Sequence, residues 1–234
     1  MGRRPSDSTK LSLDVIVAEA ISMIDEDGLA AFTMRQLATR LDVYPTALYW
    51  HAGSKARLVS LASATIFEPL TSDIDRTIPW QDQLRALAGR VRSAMHAHPN
   101  LVPLVAAEMP VSILGALDYI EGLLAILRQA GFEGTELVHA YNNFNGGVLG
   151  WVVIELSDVP DSANADSSWP AGFRDELENL GPLKYPNISS VLPKLADRAF
   201  MVRWHSGREK PLDESFAAFV DTLLLGFDRI RARD

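Results

Sequence analysis

The strongest constraint on the fold is a run of closely spaced helix start and stop signals near the N-terminus. Ser12 can cap a first helix, which Gly28 would end. Thr33 and Gln36 have the spacing of a capping box, so a second, short helix begins there. Pro45 stands where a third helix would have its first residue, after a very short turn. Three helices in about fifty residues, the last two joined by so tight a turn, are typical of a helix-turn-helix unit.

The rest of the chain also has helical periodicity, and no segment alternates as a strand does. Ser54 can cap a fourth helix, and further helices are predicted at about 80–97, 101–108, 112–130, 135–157, 188–205 and 213–231. Residues 158–187 are rich in Asp, Ser, Pro and Gly, which predicts a long loop. We therefore predict an all-α protein with a helix-turn-helix head, residues 1–53, and a larger helical body, residues 54–234, with helix 54–68 as the connector.

Charge and composition limit the partners of the chain. The net charge of the 234 residues is −8, but the first 60 residues hold equal numbers of basic and acidic side chains, so the whole excess falls on residues 61–234. A neutral head on an acidic body can still present its head to DNA, because phosphates repel the body. The N-terminus has no apolar signal sequence, and no run is long enough for a membrane span. We expect a soluble, cytoplasmic protein that does not bind membranes.

An enzyme is the main alternative class, and the sequence gives it little support. Cysteine is absent, and so are a Gly-x-Ser-x-Gly motif, a phosphate-binding glycine loop and a dinucleotide fingerprint. His96 and His98 lie two residues apart, so on a helix they point to different sides and make a poor metal site. We expect no catalytic residue, metal or cofactor. A regulator without a small-molecule effector, or an activator that works through a protein partner, stays an open alternative.

The candidate DNA-contacting residues lie between Thr33 and Lys55. The start of the third helix is where a recognition helix meets base edges in the major groove, and it carries Pro45, Thr46, Ala47 and Tyr49. Arg35 can contact a guanine, and phosphate contacts are expected from Tyr49, Trp50, His51 and Lys55. An aromatic core stripe is the alternative explanation, but consecutive aromatic residues cannot all face one side of a helix.

At these residues the chain resembles the tetracycline-repressor (TetR) family of transcription regulators. The similarity is strongest over Phe32–Leu58, where ALYWHAGSKARL matches the tyrosine-histidine-lysine signature of the family. The resemblance implies a homodimer whose two heads bind a palindromic operator of double-stranded DNA. It implies base contacts at Arg35, Pro45, Thr46, Ala47 and Tyr49, and phosphate contacts at Thr33, Trp50, His51 and Lys55. Tyr44 departs from the family pattern, since Ser or Thr more commonly caps the recognition helix, so unusual base contacts are expected there.

The body resembles a tetracycline-repressor-type C-terminal domain in the pattern from Trp80 to Pro99, in Gly147–Glu155 and in the last helix. This resemblance implies a cavity for an unidentified small-molecule effector among the middle helices. The candidate pocket residues are Phe67, His96, Met109, Tyr119, Asn143 and Phe144, a mostly apolar set with a few polar groups. Plain core packing is the alternative for Met109 and Phe144, and a surface position is the alternative for His96. The implied function is a repressor that its effector releases from the operator.

The resemblance also implies a dimer made by antiparallel pairing of the eighth and last helices. The last helix carries a wide apolar stripe that needs cover, and glycines at 146, 147, 150 and 226 suggest close packing. The candidate interface residues are Val148, Trp151, Phe216, Phe219, Leu223 and Phe227. The alternative is that these helices pack only within one chain.

Overall fold

The computed structural model describes residues 11–102, 116–157, 169–200 and 202–232. These residues form ten α-helices: α1 Leu13–Asp27, α2 Met34–Arg40, α3 Pro45–Ala52, α4 Lys55–Phe67, α5 Trp80–Ala97, α6 Leu117–Gln129, α7 Gly134–Leu156, α8 Trp169–Glu178, α9 Pro186–Leu195 and α10 Asp213–Arg231. Short 3-10 turns at Glu68–Leu70 and Pro99–Leu101 follow α4 and α5. No strand forms within the described ranges, and the predicted all-α fold is confirmed.

The predicted caps explain where α1, α2 and α4 begin. Ser12, Thr33 and Ser54 each accept a hydrogen bond from the amide three residues later, at 3.3, 3.2 and 3.1 Å. Each bond satisfies an amide that has no partner within its own helix. Since α3 also begins at Pro45, the first four helices all start where the sequence predicts.

The turn between α2 and α3 depends on one left-handed residue. Asp42 has a φ of 53°, a conformation that Asp adopts more readily than most residues. The amide of Val43 then donates to the carbonyl of Ala38 at 2.9 Å, which closes the turn. As a result α3 follows α2 after only a few residues, and Leu48 and Ala52 of α3 are fully buried against the preceding helices.

We call α1–α3 the head, α4 the connector and α5–α10 the body. The connector packs on α1 of the head and on α5 of the body, so one apolar core continues through all three parts. Within the body, α5, α6, α7 and α10 supply its fully or almost fully buried side chains, which include Leu84, Leu87, Val91, Leu123, Ile126, Phe144, Val148, Val220, Leu224 and Phe227. None of the described helices is both long and apolar enough to cross a bilayer.

Two predicted segments differ from the structure. The loop predicted at 158–187 contains α8 at Trp169–Glu178, while residues 158–168 lie outside the described part of the chain. The helix predicted at 188–205 ends at Leu195, because Asp197 turns left-handed, with a φ of 58°, and accepts the amides of Trp204 and His205. The helices predicted at 101–108 and 112–130 also fall partly on residues 103–115, which are outside the described ranges.

Candidate nucleic-acid interface and the body behind it

The outer face of α3 is largely exposed. Leu48 and Ala52 point inward, and Pro45 and Thr46 are exposed, with Ala47 partly so. Helix residues three and four apart share a face, so burial of one side leaves the candidate base-contacting residues on the other. The head therefore presents the surface that a recognition helix needs.

Exposed aromatic rings border this face. Tyr44 is 84% exposed and Trp50 is 81% exposed, and Tyr49 is also exposed. The Trp50 ring packs edge-on against His51, with 4.7 Å between ring centroids. Tyr44 is the N-cap of α3 and makes no capping hydrogen bond through its side chain. Its hydroxyl and ring are consequently free to meet a partner.

Two arginines of α2 have different surroundings. Arg35 is exposed, and its guanidinium forms no hydrogen bond or ion pair with any described residue. Arg40 instead pairs with Glu19 and with both oxygens of Glu26, and it donates to Ser22. The Arg40 guanidinium and the Ser22 hydroxyl lower the pKa of Glu26 to about 2. Arg40 therefore fastens α2 to α1, and Arg35 has all five of its donors available.

Lys55 has a structural partner that the sequence did not reveal. Its Nζ donates to the carbonyl of Phe32 at 2.6 Å and lies 5.5 Å from the centroid of the Phe32 ring. This contact joins the start of α4 to the residue before Thr33, the cap of α2. Because an ammonium has three donors, two are left for a phosphate. The Thr33 hydroxyl, in turn, donates to Gln36 Oε1 at 2.6 Å while it caps α2.

A polar latch joins the head to the body. His98 Nδ1 lies 2.7 Å from Asp25 Oδ2, and Asn100 Nδ2 donates to the carbonyls of Ile24 and Asp25 at 3.1 and 2.9 Å. The Ile24 carbonyl also accepts the amide of Gly28 at 2.8 Å, whereas the Asp25 carbonyl, in the last turn of α1, gains a partner that the helix itself does not supply. The contact spans more than seventy residues of sequence, so no local pattern in the sequence pointed to it.

Among the candidate pocket residues, Phe67, Tyr119 and Phe144 lie in the core. The rings of Phe67 and Tyr119 meet edge to face with 5.5 Å between centroids, so the connector contacts α6 here. The Tyr119 hydroxyl donates to Asn145 Oδ1 at 2.8 Å. Burial raises the pKa of Tyr119 well above its usual value, so the phenol stays a neutral donor. This pair is a polar group set in apolar surroundings near the connector.

The other candidate pocket residues are placed differently. Asn143 lies on the exposed face of α7, beside a shallow pocket of about 250 Å³, so it does not point into the body. The asparagine that does so is Asn145, which shares a face with Leu149, Val152 and Leu156, and this spacing could have identified it. Met109 lies outside the described residues.

His96 faces a buried carboxylate rather than a pocket. Its Nε2 lies 3.3 Å from Glu155 Oε2, and Glu155 is fully buried. Arg92 binds the same carboxylate through two nitrogens at 2.9 and 2.7 Å, and the amide of Leu212 donates to it at 2.8 Å. Arg92 also pairs with Asp213 at 2.7 Å. The cluster thus joins α5, the end of α7 and the start of α10.

The hydrogen bonds of this cluster decide the ionisation of Glu155. Burial by itself raises the pKa of the carboxyl, whereas the bonds from Arg92, from the amide of Leu212 and from His96 lower it. The bonds prevail, and the pKa lies below its usual value. Glu155 is therefore an anion at neutral pH.

Comparison with known families gives two matches, one over the head and connector and one over the body. Residues 16–62 match the model for bacterial regulatory proteins of the tetR family, and residues 75–203 match the tetracyclin repressor-like C-terminal domain. The C-terminal match alone covers more than half of the chain. The chain belongs to the tetR family.

Individual relatives agree with this TetR assignment. The chain is 31% identical over 190 residues to an HTH-type transcriptional regulator of Saccharopolyspora erythraea, which covers 78% of this chain and 75% of that protein. It is 28% identical over 219 residues to the tetracycline repressor protein class A from transposon 1721 of Escherichia coli, at 92% and 91% coverage. Among solved structures, the TetR regulator SCO7222 from Streptomyces coelicolor is 26% identical, with a TM-score of 0.69 and coverage of 93% and 97%.

The apolar stripe of the last helix packs against the core of the same TetR chain. Val148, Phe216 and Phe227 are buried in its own core, and Trp151 stacks on Phe219 with 5.0 Å between centroids. The partly buried Leu223 packs against the same core, so the stripe by itself is no evidence for a second copy.

Other residues of α7 and α10 form the outward surface. Leu225 is 69% exposed, and a Cβ added at Gly146, Gly150 or Gly226 would meet no atom within 4 Å. Gly147 differs, because a Cβ there would lie 2.9 Å from the Phe219 ring. Gly147 thus allows α7 to pack closely against α10 of the same chain, and the other three glycines leave an open surface.

Proposed function

We propose that this TetR-family protein is a homodimeric repressor that binds a palindromic operator and leaves it when a small molecule binds the body. The observation that carries the proposal is the largely exposed outer face of α3, on a helix whose inner residues Leu48 and Ala52 are fully buried, beside Arg35, whose guanidinium has no partner among the described residues. The names of the two relatives, a transcriptional regulator and a repressor, support it. Such a protein would act where the chromosome is, in the bacterial cytoplasm.

The residues of the head have distinct proposed roles. Base edges would be contacted by Arg35, Pro45, Thr46, Ala47 and Tyr49, with Tyr44 beside them, and phosphates by Thr33, Trp50, His51 and Lys55. The exposure of α3 supports the first group, since a major groove admits one helix and reads the side chains on its outer face. The two free donors of Lys55 support a phosphate contact, which a point charge makes without sequence preference.

The effector would act on the Tyr119–Asn145 pair. An effector that competes for this buried hydrogen bond moves Tyr119, whose ring contacts Phe67 at the end of the connector. The connector then passes the movement to α1, on which it packs. The relative named for tetracycline is consistent with a small-molecule effector. Such a ligand shifts the equilibrium only as far as its affinities for the two states differ.

A second copy would cover the outward surface of α7 and α10, and dimer formation would place two heads on one palindrome. The exposed Leu225 and the glycines at 146, 150 and 226 support this, because small residues allow helices of two protomers to approach closely. In this arrangement residues 1–53 form the DNA-binding domain, and residues 54–234 form the effector-binding and dimerisation domain.

The test is binding of the purified protein to the intergenic DNA beside its own gene, titrated with salt and with competitor DNA. We expect a salt-sensitive, sequence-selective shift with two protomers per palindrome. Selection from random DNA would find a distant operator. Failure to enrich any palindrome in that selection would overturn the proposal.

A further inference from the structure

A groove of about 600 Å³ runs between the head, the connector and the body. We call it the junction groove. Its apolar walls come from Val17 and Ile21 of α1, Leu61 and Ala64 of α4, and Leu117 at the start of α6. Leu117 is 51% exposed, so an apolar surface there faces solvent. The groove is separate from the proposed effector position, because neither Tyr119 nor Asn145 lines it.

Three carboxylates line the same groove. They belong to Asp14, Glu68 and Asp118, and no lysine, arginine or histidine accompanies them among the described lining residues. None of the three carboxylates forms a hydrogen bond or an ion pair with the described part of the chain. Within the described part of the chain, no basic side chain therefore offsets their charges beside the apolar wall.

Helix dipoles account for two of these charges but not for the third. Asp14 and Asp118 lie in the first turns of α1 and α6, where a negative charge is favourable. Glu68 is the C-cap of α4 and also the first residue of the Glu68–Leu70 3-10 turn, so the two helix ends act on its charge in opposite directions. A cation in the groove would add an attraction that neither helix end supplies.

We propose that the junction groove binds an organic cation with an apolar body, such as a lipophilic quaternary ammonium or phosphonium compound. The apolar walls would hold the body of the ligand, and the three carboxylates would attract its charge. Anionic ligands are repelled for the same reason. A compact metal ion would find the carboxylates but would leave the apolar walls exposed to water, so the groove favours a large cation.

Occupation of the groove also changes the position of the head. Because α1, the connector and α6 each supply a wall, a ligand there favours one arrangement of these helices over another. This second step rests on the proposed function, since it is observed as a change in operator affinity. By linkage, the operator changes the affinity for the cation by the same factor.

Calorimetric titration with tetraphenylphosphonium tests binding without any DNA. Tetraphenylborate is the matched control ligand, because it has nearly the same shape and the opposite charge. We expect saturable binding of the phosphonium ion, weaker at high salt, and no binding of the borate. Equal binding of both ions, or of neither, would overturn the proposal.

Variants then test whether the phosphonium ion binds in the junction groove. Replacement of the three carboxylates (Asp14→Asn, Glu68→Gln, Asp118→Asn) should weaken phosphonium binding by at least about tenfold, as expected for the loss of three modest charge contacts. Asp73→Asn, Glu121→Gln and Glu133→Gln change the net charge equally outside the groove and should leave binding unchanged.

Ala18→Trp fills the groove from an exposed position and should abolish binding with no change of charge. Unchanged binding in the first and last variants would show that the ion binds elsewhere.

Operator binding with and without saturating tetraphenylphosphonium tests the second step. We expect operator affinity to change by about fivefold or more in the wild type, a usual size for coupling between sites, and not in Ala18→Trp. Unchanged affinity in the wild type would overturn the coupling. A protein that binds the phosphonium ion but no operator would contradict the proposed function and leave the groove assignment intact.

Discussion

Lys55 shows how one side chain can serve both the fold and the proposed interface. Its bond to the Phe32 carbonyl fixes α4 against the start of α2, and its remaining donors point away from that bond. The sequence identified the lysine by resemblance but not its carbonyl partner, because that partner lies 23 residues away. We therefore expect a substitution here to change both stability and DNA affinity.

We expect Lys55→Ala to weaken binding to all DNA sequences to a similar extent and to lower the salt slope by roughly one. The lost hydrogen bond should also lower the free energy of unfolding by about 1 kcal/mol. DNA binding at several salt concentrations and urea unfolding measure the two effects. Lys194→Ala, on an exposed face of the body, is the control. A sequence-selective loss would instead place Lys55 on a base.

Glu155 carries a buried charge, and its removal leaves Arg92 without its main charge partner. We expect Glu155→Gln to lower the free energy of unfolding by about 3 kcal/mol, because Arg92 loses a bidentate partner and keeps only Asp213. Glu121→Gln, on an exposed position, should have almost no effect. Urea unfolding at a fixed protein concentration compares them. A loss no larger than that of the control would show that the cluster is not required for stability.

The pH dependence of the same variant has a definite sign. The pKa of Glu155 is lowered in the folded state, so the anion stabilises the fold above the unfolded pKa, and this contribution is lost as the pH falls through the folded pKa. The stability difference between wild type and Glu155→Gln should therefore be constant near neutral pH and shrink in acid. Unfolding measured from pH 7 downward tests this. A difference that stays constant in acid would contradict the lowered pKa.

At the scale of the element, helix starts were predictable and helix ends were less so. Ser12, Thr33 and Ser54 act on amides three residues away, so their effect is visible in the local sequence. The end of α9 depends on Asp197, whose carboxylate is held by Lys210 and by amides further along the chain. Interactions of that kind form only after the chain has folded. The helix predicted from the sequence therefore extends ten residues beyond the observed end at Leu195.

The start of α3 offers a test in which stability and proposed function move in opposite directions. Tyr44→Ser supplies the missing capping oxygen and should stabilise the protein by about 1 kcal/mol. It also removes an exposed ring beside the recognition helix, so operator affinity should fall by about fivefold, which corresponds to about 1 kcal/mol. Thermal unfolding and operator titration measure the two changes.

Tyr185→Ser is the matched control for this prediction. Tyr185 is likewise an N-cap residue whose side chain makes no capping hydrogen bond and which precedes a proline, at the start of α9 in the body. Its replacement by Ser should stabilise the protein and leave operator affinity unchanged. Equal losses of affinity in both variants would mean that Tyr44 makes no contact with DNA.

At the scale of the whole molecule, long-range polar contacts determine how the head is held. The latch of His98, Asn100 and Asp25 fixes the end of α1, while the connector holds its other side. Helical periodicity placed the helices that hold Asp25 and precede His98, yet it could not show that these groups meet. The same limit applies to α10, whose apolar stripe packs in part against its own core.

The last prediction concerns the second copy. Leu225→Arg places a charge on the proposed α7–α10 interface, and charged residues are depleted in the cores of stable interfaces. We expect the dimer dissociation constant to rise by at least about a hundredfold, which corresponds to about 2.7 kcal/mol. Affinity for the palindrome should then fall and depend steeply on protein concentration, while affinity for one half-site stays the same. Sedimentation measures the dimer dissociation constant, and DNA titration measures the two affinities.

Leu183→Arg is the control, because Leu183 is fully exposed outside this surface. If Leu225→Arg stayed dimeric with an unchanged affinity, the two heads would have to be joined through another face.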